Sequence, residues 1–580
     1  MRKIIYLVLI VITSNSFAQQ IPTDRIYDWE KAGATIPLGR TNARVISILD
    51  FGAVANDTID DAESLQMAIT STHGTFTIIE IPEGEFILSK PIILFDSVII
   101  KGVSAEKTLF RCQFGANGGS VFSVSGSAPT SFVPIEKTVP KSSRIIHCSF
   151  PEPPTNLQWT EIRMKNGSWD VNPASWASFA VGHISAIQSV TTNEIQLSNP
   201  LRFATIDSLD PQIGVFTPRT FVGFECFSIQ RGEDTVLDAG HNFAFNYAVN
   251  CWVRSVKSHK SAGAHIFISK SSNITISSSY FEESFKYDGS GTRGYGVCLA
   301  EHPNLCLIEN NIFSTLRHAM MVKQGANGNV FAYNFSRNPK RSEPIADFSG
   351  DISIHGHYPF ANLFEGNIVQ NIIIDHYWGP AGEDNMYFRN RAELYGFIIT
   401  SSSTPSMKQN IVANDITNSG LIYGQYMLNG SEHFLWGNRV KGVLNPSTTA
   451  GNQAQSLFSN SVPWYFSTFS PNWQSIGHPN NLATSTIPAR ERFQQGNLCP
   501  CYSSHSNTSV KEIITQKSQS ISSIEKLISM FDSARDIEVY SLDGSFICTL
   551  NSIQEVLKIS FSQGVYIFTS NNIHHLYLVN

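Results

Sequence analysis

The sequence predicts an all-β chain, a right-handed single-stranded parallel β-helix, and two observations carry that expectation. Asparagine returns just before a short apolar strand, at Asn250, Asn273, Asn304, Asn329, Asn362, Asn385 and Asn410, with gaps of 23, 31, 25, 33, 23 and 25 residues. The words that follow are alike: Asn273-Ile-Thr-Ile, Asn329-Val-Phe-Ala-Tyr-Asn, Asn362-Leu-Phe-Glu-Gly-Asn and Asn410-Ile-Val-Ala-Asn alternate as strands do and show no helical apolar period. Such spacing is one supersecondary unit repeated with insertions, and a unit this short buries its apolar face only by stacking on its neighbours. Each coil then rises by ~4.8 Å. Residues at equal offsets from the asparagine are expected to form ladders whose amides hydrogen-bond along the axis.

Arg2 and Lys3 precede an apolar run from Ile4 to Ile12, and Ser16-Phe17-Ala18 supplies small residues at the two positions a signal peptidase reads, so residues 1–18 are expected to be a cleaved signal peptide. The run is too short to span a bilayer, and no later segment reaches the ~20 apolar residues a membrane helix needs. Asp50-Phe51-Gly52-Ala53 leads to Asn56-Asp57 and then to Asp60 and Glu63, a capping-box-like start. Leu65, Ala68 and Ile69 make the apolar stripe of a short capping helix. Strands follow at Thr77 to Ile81 and Ser97 to Lys101, divided by the turn Pro82-Glu83-Gly84-Glu85. From about 128 to 220 the coil pattern lapses into a small β insertion, with a strand pair around Thr191-Thr192-Asn193, expected on the solenoid flank as a groove wall. Its Trp159, Trp169 and Trp176 suit either sugar stacking or the core. The β-helix domain is expected to run from 19 to 501, followed by a Ser-rich linker over 502–535 and a small C-terminal β-sandwich over 536–580.

Composition fits a large secreted β protein: 15% of residues are charged and 42% hydrophobic, with 39 Gly and 26 Pro for turns. A net charge of -6 gives no global attraction to nucleic acid or to an anionic membrane. Nine cysteines lack metal-finger spacing. Cys499 and Cys501 are too close to bridge each other, whereas Cys226 and Cys251 lie one coil apart, either facing on adjacent rungs or buried as small apolar residues.

The run from Asp50 to Gln66, the Ile81-Pro82-Glu83-Gly84 turn and Val98-Ile-Ile-Lys-Gly102 resemble the cap and first coils of the pectate-lyase superfamily. That resemblance implies the β-helix, and it spans lyases, hydrolases, epimerases and phage tail proteins alike. Asp57, Asp60 and Asp61 belong to the cap and are read as turn and helix-cap groups. Ile537-Glu-Val-Tyr-Ser-Leu-Asp-Gly544, Gln563-Gly-Val-Tyr-Ile-Phe568 and Leu576-Tyr-Leu-Val-Asn580 resemble the sorting domain of the type IX secretion system. This implies export to the cell surface or medium, with the secretion machinery as a partner. His574-His575 stands where that family often carries Lys.

The chemistry is expected between Gly223 and Cys501. Arg317, His318, Lys323, His355 and His357 are the candidate catalytic residues, and Lys260, Glu283, Lys286, Asp351, Asp375, His376, Trp378, Arg389 and Arg391 the candidate substrate-binding ones. Lys260, Glu283 and Arg317 fall at similar coil offsets, and a shared face would form a charged cleft for a linear anionic polysaccharide, whose carboxylates guanidinium groups bind bidentately. The same residue types suit β-elimination: a cation on the uronate carboxylate acidifies C5–H, a His removes the proton, and an acid protonates O4. Thr315-Leu316-Arg317-His318 resembles the Leu-Arg-His-Gly word of polysaccharide lyase family 6, where the matching Arg is the catalytic acid; Ala319 replaces the Gly. Glycoside hydrolase family 28 shares cap and fold but uses a triad of aspartates, and here only Ile354-His355-Gly356-His357 after Asp351 resembles its Gly-His-Gly word. The leading expectation is therefore a lyase acting on an acidic polysaccharide, the alternatives being a hydrolase and a non-catalytic glycan-binding surface protein. Calcium stays open as a cofactor, since Asp234, Asp238, Glu282, Glu283 and Asp288 supply oxygens without calcium-loop spacing, and no metal ligand is assigned. The chain is expected to act as a monomer.

Overall fold

Each solenoid coil is three strands, here termed a, b and c, that differ in what they leave exposed. The computed structural model describes residues 21–35, 43–114, 118–232, 240–288, 291–340, 350–446, 454–469, 473, 476–478 and 485–501, and the backbone of four strands between 537 and 579. The signal-peptide and linker expectations lie outside the described residues. One coil shows the pattern: a is Thr275–Ser277, b is Tyr280–Glu282 and c is Tyr295–Ala300. The a strands stack in parallel into a twelve-stranded sheet. The b and c strands form a twenty-stranded sheet folded into two faces, with Ile368–Asp375 and Arg391–Ile399 running through the corner. The fold is a right-handed parallel β-helix. Inward rows such as Val297, Met320, Ile352, Ile372 and Phe397 fill a continuous core.

The ladders exist, but in a different register from the one the recurring asparagines suggested. Asn329, Asn362 and Asn385 do stack, Asn329 Nδ2 donating to Asn362 Oδ1 at 2.9 Å and Asn362 Nδ2 to Asn385 Oδ1 at 3.0 Å, and Gln409 completes the row. Asn410 sits one residue further along, opposite Met386. Asn304 bonds the insertion instead, donating to the Ile184 carbonyl. The longer ladder is Asn311, Asn334, Asn367, Asn390, Asn414 and Asn438 at the two-residue a-to-b turns. Each Nδ2 also reaches a backbone carbonyl of the preceding coil, as Asn367 does with Phe331, so turn groups buried away from water are paired.

Asn250 and Asn273 hold an axial strap. Residues 21–35 cross the c-to-a turns from Glu432 to Asn250, bonded through Arg25 to the Glu432 carbonyl, Trp29 Nε1 to the Ala361 carbonyl and the Gly33 amide to the Leu305 carbonyl. Asn273 Nδ2 donates to the Gly33 carbonyl, and the Thr35 amide donates to Asn250 Oδ1. At the first coils the helix is Ala62–Thr70 and the strands are Thr77–Ile81 and Val98–Gly102. Its capping box is absent: Asp60 accepts from the Ala62 and Ser89 amides, while Glu63 pairs with Lys90. Asp57 and Asp61 accept from loop amides, as turn groups do.

The insertion is a six-stranded antiparallel sheet of Val133–Pro134, Gln212–Phe216, Trp159–Arg163, Gly182–Thr191, Glu194–Leu197 and Ile145–His147, in that spatial order. It packs on the c-to-a turns through Phe203 on Phe360 and Trp169 on Tyr358. The tail from 454 to 501 is not a coil. It covers face a with Trp464–Phe469 and Pro488–Gln494 and is tied down by a Cys226–Cys501 disulfide. Cys251 is a buried free thiol, so of the two readings offered for the 226 and 251 pair the bridge is excluded. The described C-terminal strands form a four-stranded antiparallel sheet, Phe546–Leu550, Ile537–Ser541, Gly564–Ser570 and Ile573–Val579 in spatial order.

Candidate functional site

Parallel stacking brings Lys323, His355 and Asp375 into one outward row of face c. His355 pairs with Asp375 across the strands Ile352–His355 and Ile368–Asp375, and Lys323 lies one residue past Val322, the partner of Ile354. Successive rungs put their side chains within about 5 Å of one another along the axis. His355 Nδ1 lies 2.7 Å from Asp375 Oδ2, and the Tyr377 amide donates to Asp375 Oδ1 at 3.1 Å. Burial alone would raise the Asp375 carboxyl, but the His355 charge and hydrogen bond and the Tyr377 amide outweigh it, and it is held below the ordinary carboxylate range. An ionised Asp375 accepts only, so His355 donates to it through Nδ1, which leaves Nε2 as the ring nitrogen outside the pair.

His318 opens the neighbouring strand His318–Val322 and is nearly buried. Its Nδ1 lies 3.1 Å from the Gly350 carbonyl, which can only accept, leaving Nε2 as an acceptor. Burial first, then the positive charges of Arg317 and His355, push its pKa well below the ordinary value, so the ring is neutral. The two imidazole centroids are 6.3 Å apart, and Tyr295 meets His318 edge-on at 4.8 Å. Tyr377 lies parallel to the His355 ring at 6.3 Å and is 68% exposed. Trp176, from the insertion, is 51% exposed, with Lys323 Nζ 5.9 Å from its ring. The site is thus a neutral base, a carboxylate-backed imidazole and two cations, edged by exposed aromatic rings.

Arg317, His318, Lys323, His355 and Asp375 therefore gather as the sequence suggested, but the other candidates do not. His357 is 0% exposed, walled in by Trp176 and Trp378, and cannot touch substrate. Asp351 is buried under the strand, accepting from the Gln370 amide at 2.7 Å, and burial pushes its carboxyl up to about 6. His376 is spent on structure: the Ser406 amide donates to Nε2, so Nδ1 donates to Thr400 Oγ1. Lys260 and Glu283 do share a row, 3.9 Å apart, but at the far end of face b, where Glu283 bonds the rung of Thr315 and not of Arg317. Lys286 lies in the b-to-c loop, its carbonyl beside Gly294 and Arg317. Arg389 is buried in an a-to-b turn near Glu365, and Arg391 pairs with Glu393 and Asp415 on face b. Offsets counted across loops of unequal length cannot tell these faces apart.

Of the calcium candidates, Glu282 is engaged by Tyr280, Lys257 and His259, while Asp234 and Asp238 lie outside the described residues. No group of three His, Cys, Asp or Glu placed to hold a metal occurs among the described residues. Tyr377 was not anticipated, although it follows Asp375-His376 directly. Asp170, which meets His357 from the insertion, carried no motif at all.

Residues 45–168, covering the cap, the first coils and the start of the insertion, match a family described as rhamnogalacturonase A/epimerase, pectate lyase-like. The chain is a parallel β-helix whose first part is similar to that pectate lyase-like family. That match ends well before Arg317 and leaves the site residues unassigned. Among solved structures, the chain is similar to the Pseudomonas phage phi297 tailspike gp61, at 10% identity and a TM-score of 0.47, over 68% of this chain and 72% of that one. It is also similar to the A-module of the Azotobacter vinelandii mannuronan C-5 epimerase AlgE6, at 11% identity and a TM-score of 0.37, over 68% and 77%. The Streptococcus pneumoniae surface adhesin PfbA gives 12% and 0.36, over 68% and 84%. No curated protein matches the sequence.

Proposed function

We propose that this is an exported, carbohydrate-active β-helix protein, a lyase that cleaves an acidic, uronate-containing polysaccharide by β-elimination. The observation that carries the reading is the Asp375–His355 pair on an open face, with Arg317, Lys323 and neutral His318 around it. A sugar carboxylate facing Arg317 and Lys323 would be neutralised, which acidifies C5–H. His355 Nε2 takes that proton, Asp375 stabilises the imidazolium, the C4–C5 double bond forms as the C4–O4 bond breaks, and the imidazolium is then available to protonate O4. His318, neutral and accepting through Nε2, would fix a sugar hydroxyl. Tyr377 and Trp176 offer rings for sugar faces.

Hydrolysis needs one carboxyl to protonate the leaving oxygen and another to activate water. Among the described residues of this site the one carboxylate in reach, Asp375, is already bonded to His355, and Asp351 lies beneath the strand. Export rests on the signal-peptide pattern and the sorting-domain resemblance, and the Cys226–Cys501 bridge is the kind of bond that persists outside the cytosol.

The test is to incubate the full chain with pectin, alginate, glycosaminoglycan and ulvan, with and without calcium, following unsaturated-uronate absorbance together with reducing ends. Both should rise in step on one of these polymers. Reducing ends alone would replace the lyase with a hydrolase, and binding without either signal would leave a glycan-binding surface protein.

A further inference from the structure

One buried contact between the insertion and the site involves two residues that cannot meet substrate. His357 follows the strand Ile352–His355 in left-handed backbone, at φ 50°, with its amide donating to the Trp378 carbonyl at 2.9 Å and its carbonyl accepting from Gly325 at 2.8 Å. The turn has no slack, since a Cβ on Gly356 would lie 2.4 Å from that of Trp378. The imidazole packs against Trp378 at 5.4 Å and meets Trp176 at 5.0 Å, and its Nδ1 lies 3.4 Å from Asp170 Oδ1. Asp170 belongs to the loop between the insertion strands Trp159–Arg163 and Gly182–Thr191.

That loop is itself cross-tied. Asn166 Nδ2 donates to Asp170 Oδ2 at 2.6 Å and to the Ala177 carbonyl at 2.8 Å, and its Oδ1 accepts from the Ala180 amide at 2.9 Å. Asn172 donates to the Tyr377 carbonyl and Gln324 to the Trp176 carbonyl. The loop therefore carries Trp176 as a block, and the block is registered on the solenoid at His357. We propose that Asp170 and His357 are positioning residues that hold Trp176 over Lys323, so that the insertion sets how tightly the polymer is gripped on that side of the site. The inference rests on the reading of face c as the polysaccharide site. It assigns the reaction to His355 and Asp375 and the grip to the Asp170–His357–Trp176 block.

The experiment is a double-mutant cycle in the full chain. Asp170→Asn and Trp176→Ala are each expected to raise KM by about tenfold with kcat kept within about twofold, and the double variant to be no worse than Trp176→Ala alone. His357→Gln, the second route to the same contact, should behave as Asp170→Asn does. Effects that multiply in the double variant, or a loss in kcat with KM unchanged, would overturn the proposal. Hydrogen–deuterium exchange supplies a readout that needs no turnover: segment 166–180 should exchange faster in Asp170→Asn while the strands from 295 to 322 stay as protected as before. If the native chain turns over no polyuronate, the lyase reading has failed, and the exchange experiment still decides the positioning claim, which an unchanged 166–180 segment would refute.

Discussion

Face c and face a each carry a carboxylate on an outward row of the same solenoid, and the two are driven in opposite directions. On face c, Asp375 is partly open to solvent and bonded to His355, and it is held ionised. On face a, Glu365 is 0% exposed beneath the tail; burial dominates, and the bonds from Ser456, the Leu457 amide and Tyr333 do not prevent its carboxyl from rising to about 7. The tail seals face a with Phe458, Tyr465 and Phe466, whose rings meet Tyr333 of the solenoid at 4.9 to 6.1 Å. Among the described residues nothing comparable from the tail crosses His355. The contrast teaches that burial by itself raises a carboxyl, whereas a hydrogen-bonded imidazole and an open approach keep one ionised and able to act on a ligand.

The sharpest way to break the comparison is to remove the partner on face c. His355→Gln or Asp375→Asn should lower kcat/KM on the responsive polyuronate by about 10² to 10⁴-fold, the range of general acid–base catalysis, while the melting temperature stays close to that of the native chain. An unchanged initial rate of absorbance would remove the pair from the reaction. Next in size is the tail. Cys501→Ser should cost about 2 to 5 kcal/mol by chemical denaturation and expose residues 454–501 to protease, yet leave the rate on short substrates unaltered, because face c does not depend on the tail. Equal losses of rate and stability would mean the two faces are coupled.

The smallest effect is a pH dependence, and its sign separates the faces. Glu365 has a folded-state pKa of about 7 against an ordinary value of 4.5, so its favourable contribution is complete below about 4.5 and is lost as pH rises through 7. Glu365→Gln should therefore match the native chain at pH 4 and exceed it by up to about 3 kcal/mol at pH 8 in denaturant melts. Asp375 behaves oppositely: with its folded pKa lowered, its contribution is present above the ordinary carboxylate value of 3.8 and is lost as pH falls below it. A Glu365→Gln variant less stable than the native chain at pH 8 would show that the carboxylate form is the one the tail binds.

The coil was legible because the asparagine words carry strand alternation and a turn in one short pattern. The register was not. From Trp252 onward, coils measured on face a run from 23 to 33 residues, as from Leu307 to Val330 and from Val330 to Leu363, so counting from Asn304 or Asn410 misplaces a row by one or two positions. The same slippage grouped Arg389 and Arg391 with His355, although they occupy the a-to-b turn and face b. The unbroken Asn311-to-Asn438 ladder is carried by the last asparagine of words such as Asn329-Val-Phe-Ala-Tyr-Asn and Asn362-Leu-Phe-Glu-Gly-Asn, beside the more prominent repeat of the first.

By itself the sequence determined the repeat, the cap, the place where the coils are interrupted, and a basic and histidine-rich stretch from Arg317 to His376, because these are local patterns of residue type and spacing. Only the tertiary structure decided which members of that stretch meet. The Asp375–His355 pair spans one coil, the Asp170–His357 contact joins an insertion to a turn, and Cys226 finds Cys501 across 275 residues. In a parallel solenoid, partners are set by stacking in register, and register is the sum of every loop length before it, which no local pattern records.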